Sequence, residues 1–116
     1  MVKIQTWETP DNQECNIGRH TWSVSRIIQL AKDLPVMDVP LDHLFIYYKY
    51  ENLTVRDFVM HMKAVQKADL NYPIILDEDG EIMDGRHRLM KALLLGKKTI
   101  KAVRFEQNPS PCRVKD

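Results

Sequence analysis

The chain has 116 residues, is 44% hydrophobic and 28% charged, and carries a formal net charge of +1. That length sets one domain with a single modest core. No apolar run approaches the roughly 20 residues that a membrane-spanning helix needs, and a balance so near zero argues against broad, non-specific binding to duplex nucleic acid.

The first residues, Met1 to Trp7, lack the apolar core of a secretory signal, so a cytoplasmic protein is expected. Residues 1–20 are weakly patterned and are expected to be peripheral. Lys3 to Trp7 is a candidate short strand, and Thr9-Pro10-Asp11-Asn12 reads as a turn. Ser23 suits the N-cap of a first helix, through about Asp33, with Val24, Ile27, Ile28 and Ala31 on its buried face. Pro35 ends it. Val36 to Leu41 is extended, with Pro40 marking an edge or strand end. The aromatic-rich stretch 45–53 is ambiguous between strand and other states.

Thr54 and Asp57 resemble a capping box opening a second helix to about Lys67. Val55, Phe58, Val59, Met62 and Val65 form its expected buried stripe. Asn71-Tyr72-Pro73 breaks it. Ile74-Ile75-Leu76 and Ile82-Met83 flank Asp79-Gly80 as a hairpin. A third helix is predicted from about Arg86 to Leu95, burying Leu89, Ala92 and Leu93, with Gly96 as its C-terminal cap. Lys98 to Phe105 is a last strand, and residues 107–116 read as a peripheral loop. Helices and strands in mixed order around a tight hairpin give a single compact α+β domain over residues 1–116, with a small mixed sheet and about three helices.

Charge is distributed unevenly along this order. Residues 33–84 hold eleven acidic and four basic residues, a balance of −7; residues 85–116 hold nine basic and two acidic, a balance of +7. The basic block begins at Asp84-Gly85-Arg86-His87-Arg88. There a glycine turn feeds a helix start, where unpaired N–H groups and the positive end of the helix dipole favour an anion, commonly a phosphate. Arg88 can grip phosphate oxygens in a fork, His87 can donate a hydrogen bond or move a proton, and Asp84 suits Mg²⁺, a hydroxyl or the orientation of an arginine. Cationic side chains in a first helical turn oppose the dipole unless an anion sits nearby. The purely structural alternative is a Gly85 that only permits the turn, an Asp84 that caps the helix and arginines that face solvent.

Pro73-Ile-Ile-Leu, the Asp-Gly hairpin, Ile82-Met-Asp-Gly-Arg-His-Arg-Leu-Met-Lys-Ala and Gly96 before a final strand resemble the ParB/sulfiredoxin-like superfamily over residues 73–105. The resemblance implies a ParB-like nucleotide- or phosphate-binding domain, with NTPase or phosphotransferase activity as a further implication. Gly85, His87 and Arg88 would then hold the phosphates of a nucleoside triphosphate, ATP or CTP, with Mg²⁺, and the cationic turn itself adds Arg86 to the phosphate-binding set. By the resemblance Asp84 would be a polar or metal-side partner; from the residues themselves His87 and Asp84 are the candidate catalytic residues, with Asp42 or Asp84 as the general base. The chain departs from each branch. Sulfiredoxins carry Gly-Cys-His-Arg, but Arg86 stands at the cysteine, so that chemistry is lost. Partition-type ParB domains carry Gly-Glu-Arg-Arg, and Arg86 and His87 replace the middle pair. Their helix-turn-helix reader has no counterpart in this sequence. The pattern Asp-Gly-x-His-Arg resembles the free-serine kinase branch and uncharacterised ParB-like proteins.

Two further readings stand beside this one. The basic block is compatible with a DNA-binding or ParB-like nuclease module. The acidic middle and basic end would also suit a non-catalytic interaction protein with a vestigial pocket, a homodimer included. Other constellations are weaker. Gly96-Lys-Lys-Thr99 lacks the earlier glycine of a P-loop, and the acidic hairpin lacks EF-hand spacing. Cys15 and His20 lack a completing ligand pair for zinc. Cys15 and Cys112 are expected as reduced thiols, His43 and His61 as structural, and Tyr47, Tyr48 and Tyr50 as packing rather than base-stacking residues.

Overall fold

The structure is a computed structural model that describes residues 14–44 and 52–114. The candidate strand at Lys3–Trp7, the turn at 9–12 and the tyrosines at 47, 48 and 50 lie outside the described residues.

Among the described residues two sheets, three α-helices and one short 3-10 turn form an α+β domain. The first sheet is antiparallel, in the order β1 (Glu14–Ile17), β2 (His20–Ser23), β7 (Arg113–Val114). The second is mixed, in the order β3 (Met37–Pro40), β6 (Thr99–Arg104), β4 (Ile74–Leu76), β5 (Ile82–Asp84). Within it β4 runs parallel to β6, and the other two pairings are antiparallel. The helices are α1 (Val24–Ala31), α2 (Val55–Lys67) and α3 (Arg86–Leu94).

The central strands are covered on both faces, which is why β4 reads as the unbroken run Ile-Ile-Leu rather than as an alternation. Ile75, Val103 and Phe105 enter one cluster with Cys15, Trp22, Met83 and the buried face of α1. Ile74, Leu76, Ile100 and Ala102 enter a second, under Leu89 and Ala92 of α3 and Leu41 and Leu44. The expected face of α1 is buried in full: Val24, Ile27, Ile28 and Ala31. Ser23 stands at its N-cap, although its side chain makes no capping bond.

The second helix has the expected bounds and its N-cap: Thr54 Oγ1 accepts from the Asp57 N–H at 3.1 Å. Its stripe is a correction. Val65 is buried, but Val55, Phe58, Val59 and Met62 are exposed. Periodicity shows that a helix has an apolar face; it does not show what covers that face. The contact with the body comes instead from α3, where Lys91 Nζ donates to the carbonyls of Gln66 at 3.0 Å and Ala68 at 2.7 Å, satisfying the C-terminal end of α2. A smaller correction applies to α3: Leu93 is exposed, and Arg88 is buried in its place. The helix closes as predicted. Gly96, at φ 71°, donates to the Leu93 carbonyl and Lys97 to that of Ala92, the paired bonds of a Schellman motif.

Parts of both terminal segments read as peripheral belong to sheet and core. Cys15 and Trp22 are buried, and the Trp22 indole N–H donates to the Pro109 carbonyl at 2.9 Å. The Cys112 N–H donates to Thr21 O at 2.7 Å, leading into the β2–β7 pairing. Among the described residues, no helix is long and apolar enough to cross a membrane.

Candidate functional site

The hairpin that delivers the candidate turn is organised by a buried acid. Asp77 Oδ1 accepts from the N–H groups of Asp79 at 2.9 Å and Glu81 at 2.8 Å, which fixes the loop between β4 and β5. This places Asp84 at the end of β5 and Gly85 immediately before α3.

Gly85 has φ 105°, in the left-handed region. A Cβ there would lie 2.5 Å from Ile74 Cγ2 and 3.1 Å from Arg88 Nη2. The glycine therefore lets the protein's own core approach the turn. Arg88 is 5% exposed and points inward. Its Nη2 donates to Asp84 Oδ2 at 2.7 Å, and its Nη1 donates to the Pro73 carbonyl at 2.9 Å. Burial lowers the Arg88 pKa from its usual value, opposed by the charge and hydrogen bond of Asp84. One side chain thus ties the start of α3 to β5 and to the residue before β4.

That arrangement redistributes the expected roles. Arg88, expected on phosphate, acts as an internal clamp. Asp84, expected as metal ligand and catalytic residue, is its counter-ion, and a hard cation at that carboxylate would sit beside a buried guanidinium. Asp84 therefore does not fit a Mg²⁺ site in this arrangement. Among the described residues no group of three or more His, Cys, Asp or Glu side chains is placed to hold a metal ion.

The residues presented outward at the turn are Arg86, which is exposed, and His87, which is half-buried. They lie in the first turn of α3, before the Leu89 N–H to Gly85 O bond at 3.0 Å that begins the helical ladder. His87 meets a residue the sequence reading assigned to structure alone. His61 Nδ1, from α2, lies 2.9 Å from His87 Nε2, with ring centroids 5.2 Å apart and planes tilted by 41°. The His87 pKa is lowered, first by burial, then by His61 and Arg86, with Asp84 opposing. His61 could have been noticed as a polar residue beside the apolar stripe of α2; nothing local in the sequence pointed it at a residue 26 positions away.

Cys15 lies in the first core cluster with Ile75 and Met83 of the hairpin, and burial raises its pKa to about 11. Both cysteines are free thiols: Cys15 is buried and Cys112 exposed.

The fold and site define a small α+β domain with a glycine turn and a basic helix start at its candidate site. Comparisons with protein-family models, with curated proteins and with solved structures find no significant match.

Proposed function

We propose that this domain binds the phosphate of a nucleotide at the N-terminus of α3. The carrying observation is the division of labour in the turn. Asp84, Gly85 and Arg88 hold the helix start rigidly against the core, while Arg86 and His87 stand on its outer side. A helix N-terminus favours an anion through its first N–H groups and its dipole, and Arg86 adds a charge-assisted donor. The resemblance of residues 73–105 to the ParB/sulfiredoxin-like superfamily supports a nucleoside triphosphate, ATP or CTP, as the ligand. His87 is the residue best suited to move a proton there, because its imidazole is held near the neutral form. Asp84 contributes by orienting Arg88.

The test separates ligand binding from folding. Titration calorimetry and thermal shift with ATP, CTP and inorganic phosphate, each with and without Mg²⁺, should show binding that raises Tm. Arg86→Ala should weaken it, and chemical denaturation of the unliganded variant separates lost binding from lost stability. No Tm shift with any of the three, or unchanged affinity in Arg86→Ala, would remove this reading. Retention of the chain on duplex DNA with steep salt dependence, and no response to nucleotides, would favour a DNA-binding module instead.

A further inference from the structure

We propose that the hydrogen bond between His61 and His87 is an acid-sensitive latch, which holds the N-terminal half of α2 against α3 at neutral pH and releases it when both rings are protonated. The latch does not depend on phosphate binding.

The two rings stand where α2 first meets the body of the domain. His61 Nδ1 lies 2.9 Å from His87 Nε2. Along α2 from its N-terminus, Val55 to Met60 are all exposed, and His61 is the first residue that is not. The other end of the helix is held differently. Val65 is buried, and Lys91 Nζ of α3 donates to the carbonyls of Gln66 and Ala68. Apolar burial and an ammonium donor are left intact by acid. The partner ring is anchored too, since His87 immediately precedes Arg88, which is bound to Asp84 and Pro73. Acid therefore acts at the His61 end of the α2–α3 contact and spares the Lys91 end.

Proton bookkeeping gives the release. A bond between two neutral imidazoles uses one facing N–H and one facing lone pair. A first added proton goes to the far nitrogen of the donating ring, and the bond survives as a charge-assisted one. A second has only the facing lone pair to take. Both facing nitrogens then carry hydrogens, and two cations oppose each other across the contact.

The surroundings resist that second proton. Arg86 and the buried Arg88 flank His87 in the first turn of α3, where the helix dipole also disfavours a cation, and Lys91 lies one turn further along. Two carboxylates favour protonation: Asp84 of β5, already bound to Arg88, and Asp57, one turn before His61 on α2. The balance leaves the His87 pKa below its ordinary value of 6.5, first through burial, then through His61 and Arg86. The unfolded chain thus takes up the proton more readily than the folded one. The contribution of the latch to stability is complete above pH 6.5 and is lost as pH falls below it, through the folded-state value. Paired histidines so placed turn a fall in pH into movement of the element that carries them.

The experiment uses the full chain. Amide hydrogen exchange is followed by NMR at pH 7.5 and 5.0 and corrected for the intrinsic pH dependence of exchange. Protection of Phe58 to Met62 should fall by more than about tenfold, the equivalent of one pKa unit, while that of α1 falls less. His61→Gln and His87→Gln each keep a hydrogen-bonding side chain and remove one proton site, so the fall should disappear in both. No protection at Phe58 to Met62 at pH 7.5, no fall at pH 5.0, or an equal fall in α1 would overturn the proposal, as would a fall of native size in either variant. Should a variant fail to fold, the imidazole ¹⁵N shifts of the native chain decide. Double protonation of the pair must coincide with the loss of α2 protection, and two charged rings beside a still protected α2 would overturn the latch.

Discussion

Gly85 and Arg88 exchange the roles that their sequence context suggests. A glycine before Arg-His-Arg reads as room for a ligand, yet the space a Cβ would occupy is already taken by Ile74 and the Arg88 guanidinium. Gly85→Ala must therefore bear a left-handed backbone, about 1–2 kcal/mol, and an overpacked contact, about 1–3 kcal/mol. Chemical denaturation should show a loss of about 2–5 kcal/mol with no ligand present. Arg88→Ala tests the same point from the other side. It leaves the largely buried Asp84 carboxylate without its partner and the Pro73 carbonyl without its donor. The expected loss is about 3–5 kcal/mol, and Arg88→Lys should recover part of it through a single donor to Asp84. A folded, fully stable Arg88→Ala protein that had lost only anion binding would return Arg88 to the ligand. The residue types at the turn were legible in the sequence; the direction in which Arg88 points was not, because the carbonyl that receives it belongs to Pro73, fifteen positions away.

At the scale of elements, what could be read was local and what was missed was long-range. The cap of α2, the Schellman end of α3 and the β4–β5 turn each rest on bonds within a few residues, and each stands where the sequence put it. The β1–β2 hairpin and β7 carried no strong local signal. They are specified by partners far along the chain: Trp22 with Pro109, and Thr21 with Cys112 and Arg113. The apolar stripe of α2 shows the complementary failure, a clear pattern whose covering surface could not be inferred. Since Phe58 is 54% exposed, Phe58→Asp should change stability by no more than about 0.5 kcal/mol. Leu89→Ala, under the second core cluster, should cost about 2–5 kcal/mol. Denaturant midpoints of the two variants give the comparison directly, and a large loss in Phe58→Asp would mean that the stripe is packed in solution.

Across the whole molecule, Cys15 reports on the opening of the first core cluster, and Cys112 is its exposed reference. With a thiol reagent at pH 8, Cys112 should react at once. Cys15 should react only as fast as the core opens, so its rate should rise with denaturant while that of Cys112 barely changes. The raised Cys15 pKa also gives alkaline stability a direction. The folded state holds the thiol proton to about pH 11, whereas the unfolded chain releases it near the ordinary value of 9.0. Stability from this group is therefore complete below pH 9 and is lost as pH rises towards 11. Replacing Cys15 by Ala removes the titration along with some packing, so the variant should be less stable at pH 8 and show a flatter decline above pH 9. Tm measured from pH 8 to 11 in both proteins tests this. Parallel curves would mean that Cys15 ionises in the folded state as readily as in the unfolded chain, and that the β1–β5 side of the core is open to water.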